Sequence, residues 1–140
     1  MTGEPNHWVD PLVVEVVGEY DVFHARRLAA ALAARLGFEP AASQRLATAV
    51  SELANNLVFH ASDGGTVRIL PVALPGHCGI EVVVEDGGPG IPDVAAAMTD
   101  GFSTNGGLGG GLPGCRRLMD DFSIESRPDA GTKVVIRLWR

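Results

Sequence analysis

The sequence predicts an α+β domain, a two-layer α/β sandwich with helices on one face of a mixed, mostly antiparallel sheet. Three observations carry that expectation. The candidate elements run β-α-α-β-β-loop-α-β-β, so helices and strands are segregated rather than alternating. The chain has 140 residues, 46% apolar and 20% charged, which suits one domain over residues 1–140 with a core of its own. Glycine is concentrated: ten of its 18 occurrences fall between Gly87 and Gly114. That stretch lies between structured elements, which favours a loop-built site over a flexible linker.

Each element has a local reason. Val13-Val14-Glu15-Val16-Val17 is rich in β-branched residues and reads as a short strand. Asp21 can cap a helix over Val22–Leu36, whose apolar positions include Leu28 and Leu32, and Gly37 stops it. Pro40 opens a second helix running to His60, with Leu46, Val50, Leu53 and Leu57 at helical spacing. Ser62-Asp63-Gly64-Gly65 is a turn. Strands follow at Val67–Val72 and Ile80–Glu85, joined through Pro75 and Gly76. From Asp86 to Leu112 the pattern dissolves into glycine-rich loop, broken by a short helical stretch, Val94–Met98. A helix over Leu112–Met119 and strands at Phe122–Ser126 and Val134–Trp139 complete the chain, the last two joined by Pro128-Asp129-Ala130-Gly131.

Composition excludes several function classes. The net charge is −6 and the only basic pairs are Arg26-Arg27 and Arg116-Arg117, so no basic stripe for nucleic acid is present. No apolar run approaches the length of a membrane span, and the first ten residues carry Glu4 and Asp10 without an apolar stretch. A cytoplasmic protein with no membrane and no nucleic-acid partner is expected. Cys78 and Cys115 match no metal spacing and read as free thiols. His7, His24 and His77 are isolated surface candidates, and Trp8 and Trp139 are packing residues near the termini.

Three segments could carry chemistry. Glu52 and Asn56 stand four apart on the second helix, about 40° around its axis, off the Leu46/Val50/Leu53/Leu57 stripe, and His60 extends the same flank. A carboxylate and a carboxamide placed this way can hold a proton acceptor beside a metal ion. Mg²⁺ takes oxygen ligands and often only one or two from protein. A solvated polar face is the alternative, although Asn55-Asn56 in mid-helix is unusual for such poor helix formers. Next, Glu85-Asp86-Gly87-Gly88-Pro89-Gly90-Ile91 places a carboxylate at a strand end beside open backbone, suited to an exocyclic amine on a flat ligand, or serves as an ordinary turn.

The third segment, Gly101 to Gly114, runs directly into a helix, an arrangement whose free N–H groups can cradle an anion. Gly109-x-Gly111-x-x-Gly114 matches the dinucleotide fingerprint only formally, because no strand leads into it, and no P-loop pattern occurs. Arg116 and Arg117 follow, as a solvated helix face or as cations near that anion.

Together these motifs and their order resemble the GHKL ATPase superfamily, which includes gyrase B, Hsp90, MutL and the histidine kinases. Glu52-x-x-x-Asn56 resembles its N box, Asp86-x-Gly88-x-Gly90 its G1 box, Gly107-x-Gly109-x-Gly111 its G2 box, and Gly131-Thr132 its closing Gly-Thr pair. Within the superfamily the chain is most similar to the small anti-sigma factors and switch serine kinases. The strings Ser51-Glu52-Leu53-Ala54, Asp100-Gly101-Phe102-Ser103-Thr104, Gly111-Leu112-Pro113-Gly114 and Arg117-Leu118-Met119-Asp120 favour the switch kinases of the bacterial stressosome. Gly110 departs from the usual Leu of the G2 box, and Leu57 and Phe59 depart from the Ala and Lys of the broader N box.

The resemblance implies an ATP-dependent protein serine/threonine kinase of a partner-switching pathway. Glu52 would be the general base and Asn56 the Mg²⁺ ligand. Asp86 would bind the adenine amine, helped by Thr132 through water. The remaining ATP contacts would be Gly88, Gly90, Ile91, Ser103, Thr104, Gly106, Gly107, Leu108, Gly109, Gly110, Gly111 and Leu112, largely as a lid over the phosphates. The implied substrate is a serine of a STAS-domain protein, and the implied second partner a PP2C-type phosphatase. An anti-sigma factor under ATP/ADP control is the main alternative. A detached histidine-kinase domain and an ATP-binding pseudoenzyme rank below it, the first for want of a dimerisation hairpin, the second because Glu52 is present. The sequence leaves the oligomeric state open.

Overall fold

Valine at alternate positions builds the first strand, β1 (Leu12–Val16), which buries Val14 and Val16 and exposes Val13 and Glu15. The computed structural model of the chain describes residues 10–60, 64–88, 98, 111–127 and 129–140. Helix α1 (Glu19–Arg35) begins three residues earlier than the sequence predicts. The reason is the cap. Gly18 is the N-cap and Asp21 sits at the third helical position, where its carboxylate accepts N–H bonds from Val17 (2.9 Å) and Gly18 (3.1 Å). Those two bonds, Val17 first, hold the Asp21 carboxyl below the usual carboxylate range. Helix α2 (Pro40–His60) follows with proline at its first position, and it buries Leu46, Val50, Leu53 and Leu57 as their spacing requires.

Strands β2 (Gly65–Leu74) and β3 (His77–Asp86) form a longer hairpin than expected. Pro71 lies inside β2. Strand β1 pairs only with Gly65–Ile69, so the donor that Pro71 lacks falls where β2 has a neighbour on one side only. Helix α3 (Gly111–Leu118) leads to β4 (Asp121–Arg127) and β5 (Gly131–Trp139). The helical stretch expected at Val94–Met98 lies, apart from Met98, outside the described residues.

The sheet order is β1-β2-β3-β5-β4, and every pairing is antiparallel. The sequence admits a mixed sheet; among the described residues no parallel pair occurs, because β1–β2 is closed by a helical return from the same end, β2–β3 and β4–β5 are hairpins, and β5 lies between β3 and β4, the two strands that run in the same direction across a crossover. Rows of paired residues, Ile69–Val82–Ile136 and Val67–Val84–Val134, lie in the core with the inner faces of α1 and α2. Each such side chain, buried from water, contributes about 1.5–3 kcal/mol. On the opposite sheet face Arg137 Nε donates to Glu81 Oε1 at 2.8 Å, across directly opposed positions of β3 and β5.

The two free cysteines are Cys78, half-buried, and Cys115, buried. Trp139 Nε1 donates to Asp121 Oδ2 at 2.8 Å, which fixes the C-terminal strand against β4. His77 meets Trp139 edge-on, and His24 stacks on Tyr20, while His7 and Trp8 lie outside the described residues. Among the described residues, no helix is long and apolar enough to cross a membrane.

Candidate functional site

Two clusters of predicted residues lie at the ends of regular elements. The first forms where β3 finishes. Asp86 is its last residue, paired with Gly65 of β2 on one side and Thr132 of β5 on the other. The Asp86 side chain is half-buried, and its Oδ1 accepts the Gly88 N–H at 2.8 Å. That turn orients the carboxylate. Among the described residues Oδ2 has no hydrogen-bond donor, so it can accept one from a ligand. Thr132 Oγ1 lies 2.8 Å from Ser126 Oγ on β4, a hydroxyl pair beside the same strand end.

Backbone approaches closely on both flanks of Asp86. A Cβ on Gly131 would stand 2.0 Å from the Asp86 carbonyl oxygen, and Gly131 has φ +83°. A Cβ on Gly65 would stand 2.2 Å from the Glu85 carbonyl, 2.8 Å from Leu57 Cδ2 and 3.2 Å from Asp86 Cβ. Both positions therefore require glycine, and both keep side-chain bulk away from the carboxylate. Gly131 figures in the sequence reading as part of a closing Gly-Thr pair. Gly65 does not; the sequence shows it only as the last residue of a turn, and its register partner emerges only once β2 and β3 are paired.

The second cluster lies on α2. Glu52 is 6% exposed, although it stands off the leucine stripe, and Asn56 is half-buried one turn further on. A simple solvated face does not describe this flank, because α3 packs against α2 here. Cys115 of α3 is fully buried and its Sγ–H donates to the Ala49 carbonyl at 3.6 Å. Burial first, and the nearby Glu52 charge second, push the Cys115 thiol up to about 12. Glu52 thus lies within electrostatic reach of the α2–α3 seam. Ser51 faces the other way: it accepts a bond from Arg26 Nη1 at 3.1 Å and donates to the Ala47 carbonyl at 2.9 Å, tying α1 to α2.

Helix α3 begins at Gly111, and Gly111 and Leu112 are buried. Its first-turn N–H groups lack intrahelical partners, as at any helix start. Arg116 and Arg117 are exposed in its last turn. Gly90, Ile91, Ser103, Thr104, Gly106, Gly107, Leu108, Gly109 and Gly110 lie outside the described residues, and so does the side chain of His60. The structure thus joins Asp86 with Gly88 and Thr132, and places Glu52 and Asn56 on one flank of the helix that packs behind Gly65.

The donor set suits a Mg²⁺-nucleotide. Among the described residues no group of three or more His, Cys, Asp or Glu side chains could cage a metal. A single carboxamide oxygen at Asn56 is the kind of ligand Mg²⁺ accepts when phosphates and water complete its shell. The bulk-free flanks of Asp86, set by Gly65 and Gly131, suit a flat base with an amine directed at Oδ2.

The pattern of the histidine kinase-like ATPase domain matches residues 19–138. The serine/threonine-protein kinase RsbT of Bacillus subtilis is 45% identical over 130 residues, 93% of this chain and 97% of that one. An anti-sigma F factor of Caldanaerobacter subterraneus is 36% identical over 115 residues, 79% of each chain. Among solved structures, the catalytic domain of the histidine kinase ThkA aligns with a TM-score of 0.53 at 16% identity, covering 94% of this chain and 98% of that one. The SiaB–SiaC complex from Pseudomonas aeruginosa aligns with a TM-score of 0.51 at 13% identity, covering 92% and 89%. At those identities the two structures speak for the fold.

Proposed function

The chain belongs to the histidine kinase-like ATPase domain family, and from that premise we propose that it is an ATP-dependent serine/threonine kinase of a bacterial partner-switching pathway. It phosphorylates a serine of a STAS-domain antagonist and engages a PP2C-type phosphatase as its second partner, in the cytoplasm. The observation that carries this reading is the buried Glu52 carboxylate one turn from Asn56 on α2, in a chain 45% identical to a serine/threonine kinase over nearly its whole length.

Mg²⁺-ATP supplies the phosphoryl group and the charge neutralisation. The chain's own residues position and deprotonate, which is most of what phosphoryl transfer asks of a protein. Asp86 Oδ2 accepts a hydrogen bond from the adenine amine, and Thr132 supports that end of the base through water. Asn56 offers its carboxamide oxygen to the metal. Glu52 accepts the proton of the acceptor serine hydroxyl as the serine oxygen bonds to phosphorus and ADP departs. Gly88, Gly90 and Ile91 line the approach of the base beside Asp86, and the glycine-rich segment, Gly106 to Gly111 with Ser103, Thr104, Leu108 and Leu112, serves as the lid that wraps the phosphates.

The test is transfer of labelled phosphate from ATP to a purified STAS-domain protein, with calorimetry for both ATP and GTP. Transfer should occur, and ATP should bind far better than GTP, because guanine presents an oxygen where Asp86 needs a donor. No transfer, or equal affinity for the two nucleotides, overturns the reading. The likeness to an anti-sigma F factor over 79% of the chain supports a second reading, sequestration of a sigma factor under nucleotide control. Capture of sigma factor without any phosphate transfer would favour it.

A further inference from the structure

Helix α1 has two faces, and only one of them is used by the fold. Val22, Ala25, Ala29 and Ala33 are buried against the rest of the core. The opposite face would ordinarily be polar. Here Tyr20, Phe23, His24, Arg27, Ala31 and Ala34 are exposed at the i, i+3, i+4, i+7 spacing of a single stripe, with exposed Glu19 and Arg35 beside its two ends. Tyr20 is 78% exposed and Phe23 55%. The stripe is internally ordered. The Tyr20 and His24 rings stack at 6.5 Å with planes 13° apart, and the Arg27 guanidinium lies over the Phe23 ring at 5.7 Å.

Its charge runs against the chain's. The protein carries a net charge of −6, yet from Val22 to Arg35 there are three arginines and no carboxylate. Of the two acids in the first turn, Asp21 has its carboxylate turned onto the Val17 and Gly18 N–H groups, and Glu19 stands exposed at the N-terminal margin of the stripe, leaving the rest of its length to cations. Exposed Tyr and Arg side chains are the types that dominate binding energy at protein interfaces. Side chains already paired on the surface lose less freedom on docking. Ala31 and Ala34 leave room for another backbone to approach closely.

We propose that this outward stripe of α1 is the docking surface for the acceptor protein, which meets it with an apolar patch bordered by carboxylates. The inference rests on the kinase reading above and adds to it a recognition surface separate from the residues that handle nucleotide and proton. The hydrogen bond from Arg26 to Ser51, the residue before Glu52, ties the docking helix to the helix that carries the base. A partner seated on α1 is thereby held at a fixed offset from Glu52.

The experiment uses the full chain with a purified STAS-domain protein as probe, and reads both complex formation and phosphate transfer. The variants are Phe23→Ala, Arg27→Glu and their combination. Arg68→Glu, an exposed reversal of the same size on the opposite sheet face, is the control. The combined variant should weaken complex formation and raise KM for the acceptor at least tenfold, with kcat and ATP affinity within twofold. Added salt should raise the wild-type KM and leave that of Arg27→Glu nearly unchanged. Arg68→Glu should behave as wild type.

Unchanged KM and affinity in the combined variant would overturn the proposal while leaving the kinase reading intact. So would equal effects of Arg27→Glu and Arg68→Glu, which would mean general charge steering. Loss of binding to phosphatidylserine vesicles, or of self-association, with KM unchanged would assign the stripe to a membrane or to a second copy and overturn it. Complex formation that depends on Phe23 and Arg27 without any phosphate transfer would uphold the docking surface and remove the kinase reading. Absence of both complex and transfer would overturn both.

Discussion

At the sheet end of the site, Asp86 is placed by main chain: β2 and β5 flank it in register, the Gly88 N–H holds one oxygen, and Gly65 and Gly131 admit no side chain beside it. At the helix end, Glu52 and Asn56 are placed by packing, through the apolar stripe of α2 on one side and α3 with its buried Cys115 on the other. The two kinds of support fail differently. A main-chain frame gives way when a Cβ is forced into it, whatever the chemistry of the side chain. A packed helix flank tolerates exchange of similar shape, so a change of chemistry there is felt in the chemistry alone.

The largest expected effect tests the helix end. Glu52→Gln preserves shape and removes the proton acceptor. Phosphate transfer to a STAS-domain protein should fall by about 10²–10⁴, the usual contribution of a general base. Nucleotide affinity should stay within a few-fold, because Glu52 is assigned no contact with the base or the metal. A fall in affinity that matches the fall in rate would place Glu52 in the nucleotide site and erase the contrast between the ends.

Gly131→Ala tests the sheet end by the opposite route, changing shape with almost no change of chemistry. Its methyl group would lie 2.0 Å from the Asp86 carbonyl oxygen, at a backbone φ of +83°. Thermal or urea unfolding should show a loss of about 2–4 kcal/mol, from strain plus displaced backbone. Gly76→Ala is the comparison. Gly76 has φ +77° with nothing within 4 Å of the added atom, so only the left-handed conformation is penalised, by about 1–2 kcal/mol. Equal losses at the two glycines would mean that the close approach to Asp86 is not what demands Gly131.

Asp86→Asn then probes the side chain that this frame presents. The exchange is nearly isosteric, so folding should be spared. ATP affinity should fall by the equivalent of about 1.5–3 kcal/mol, a hydrogen bond to a charged group. GTP binding should not fall. A variant that binds ATP as well as the wild type would detach Asp86 from the base.

The sheet end was the more legible of the two in the sequence. A valine run ending in Glu85-Asp86 and then glycines identifies a strand end with a carboxylate from local pattern alone. What local pattern could not reveal is pairing. Gly65 gains its meaning from standing opposite Asp86, 21 positions away in the chain, and β2 continues through Pro71 only because β1 is too short to need its donor. Helix α1 starts early because Asp21 serves its cap from the third helical position, a reciprocal geometry that a capping residue in front of the helix mimics in sequence. At the helix end the spacing of Glu52 and Asn56 was legible, but the burial of Glu52 was not. The packing of α3 on α2 beside it is a long-range contact, bridging 66 positions at Cys115 and Ala49.

Cys115 supplies the smallest and most specific test of the packed seam. Burial and the neighbouring Glu52 charge raise its thiol from 9.0 to about 12, so the folded protein keeps the proton at a pH where the unfolded chain releases it. The unfolded state then binds fewer protons than the native state, and stability must fall as pH rises above the unfolded value. Between about pH 9 and about pH 10 the loss from this one group should be about 1 kcal/mol, and the slope flattens only near the folded value. Urea unfolding of the wild type and of Cys115→Ser isolates the contribution, because the serine hydroxyl does not titrate in that range. The difference between the two proteins should shift with pH by that amount. A difference independent of pH would mean that the thiol is not sealed between α2 and α3, and that the helix end is held less tightly than the sheet end by more than the kind of support.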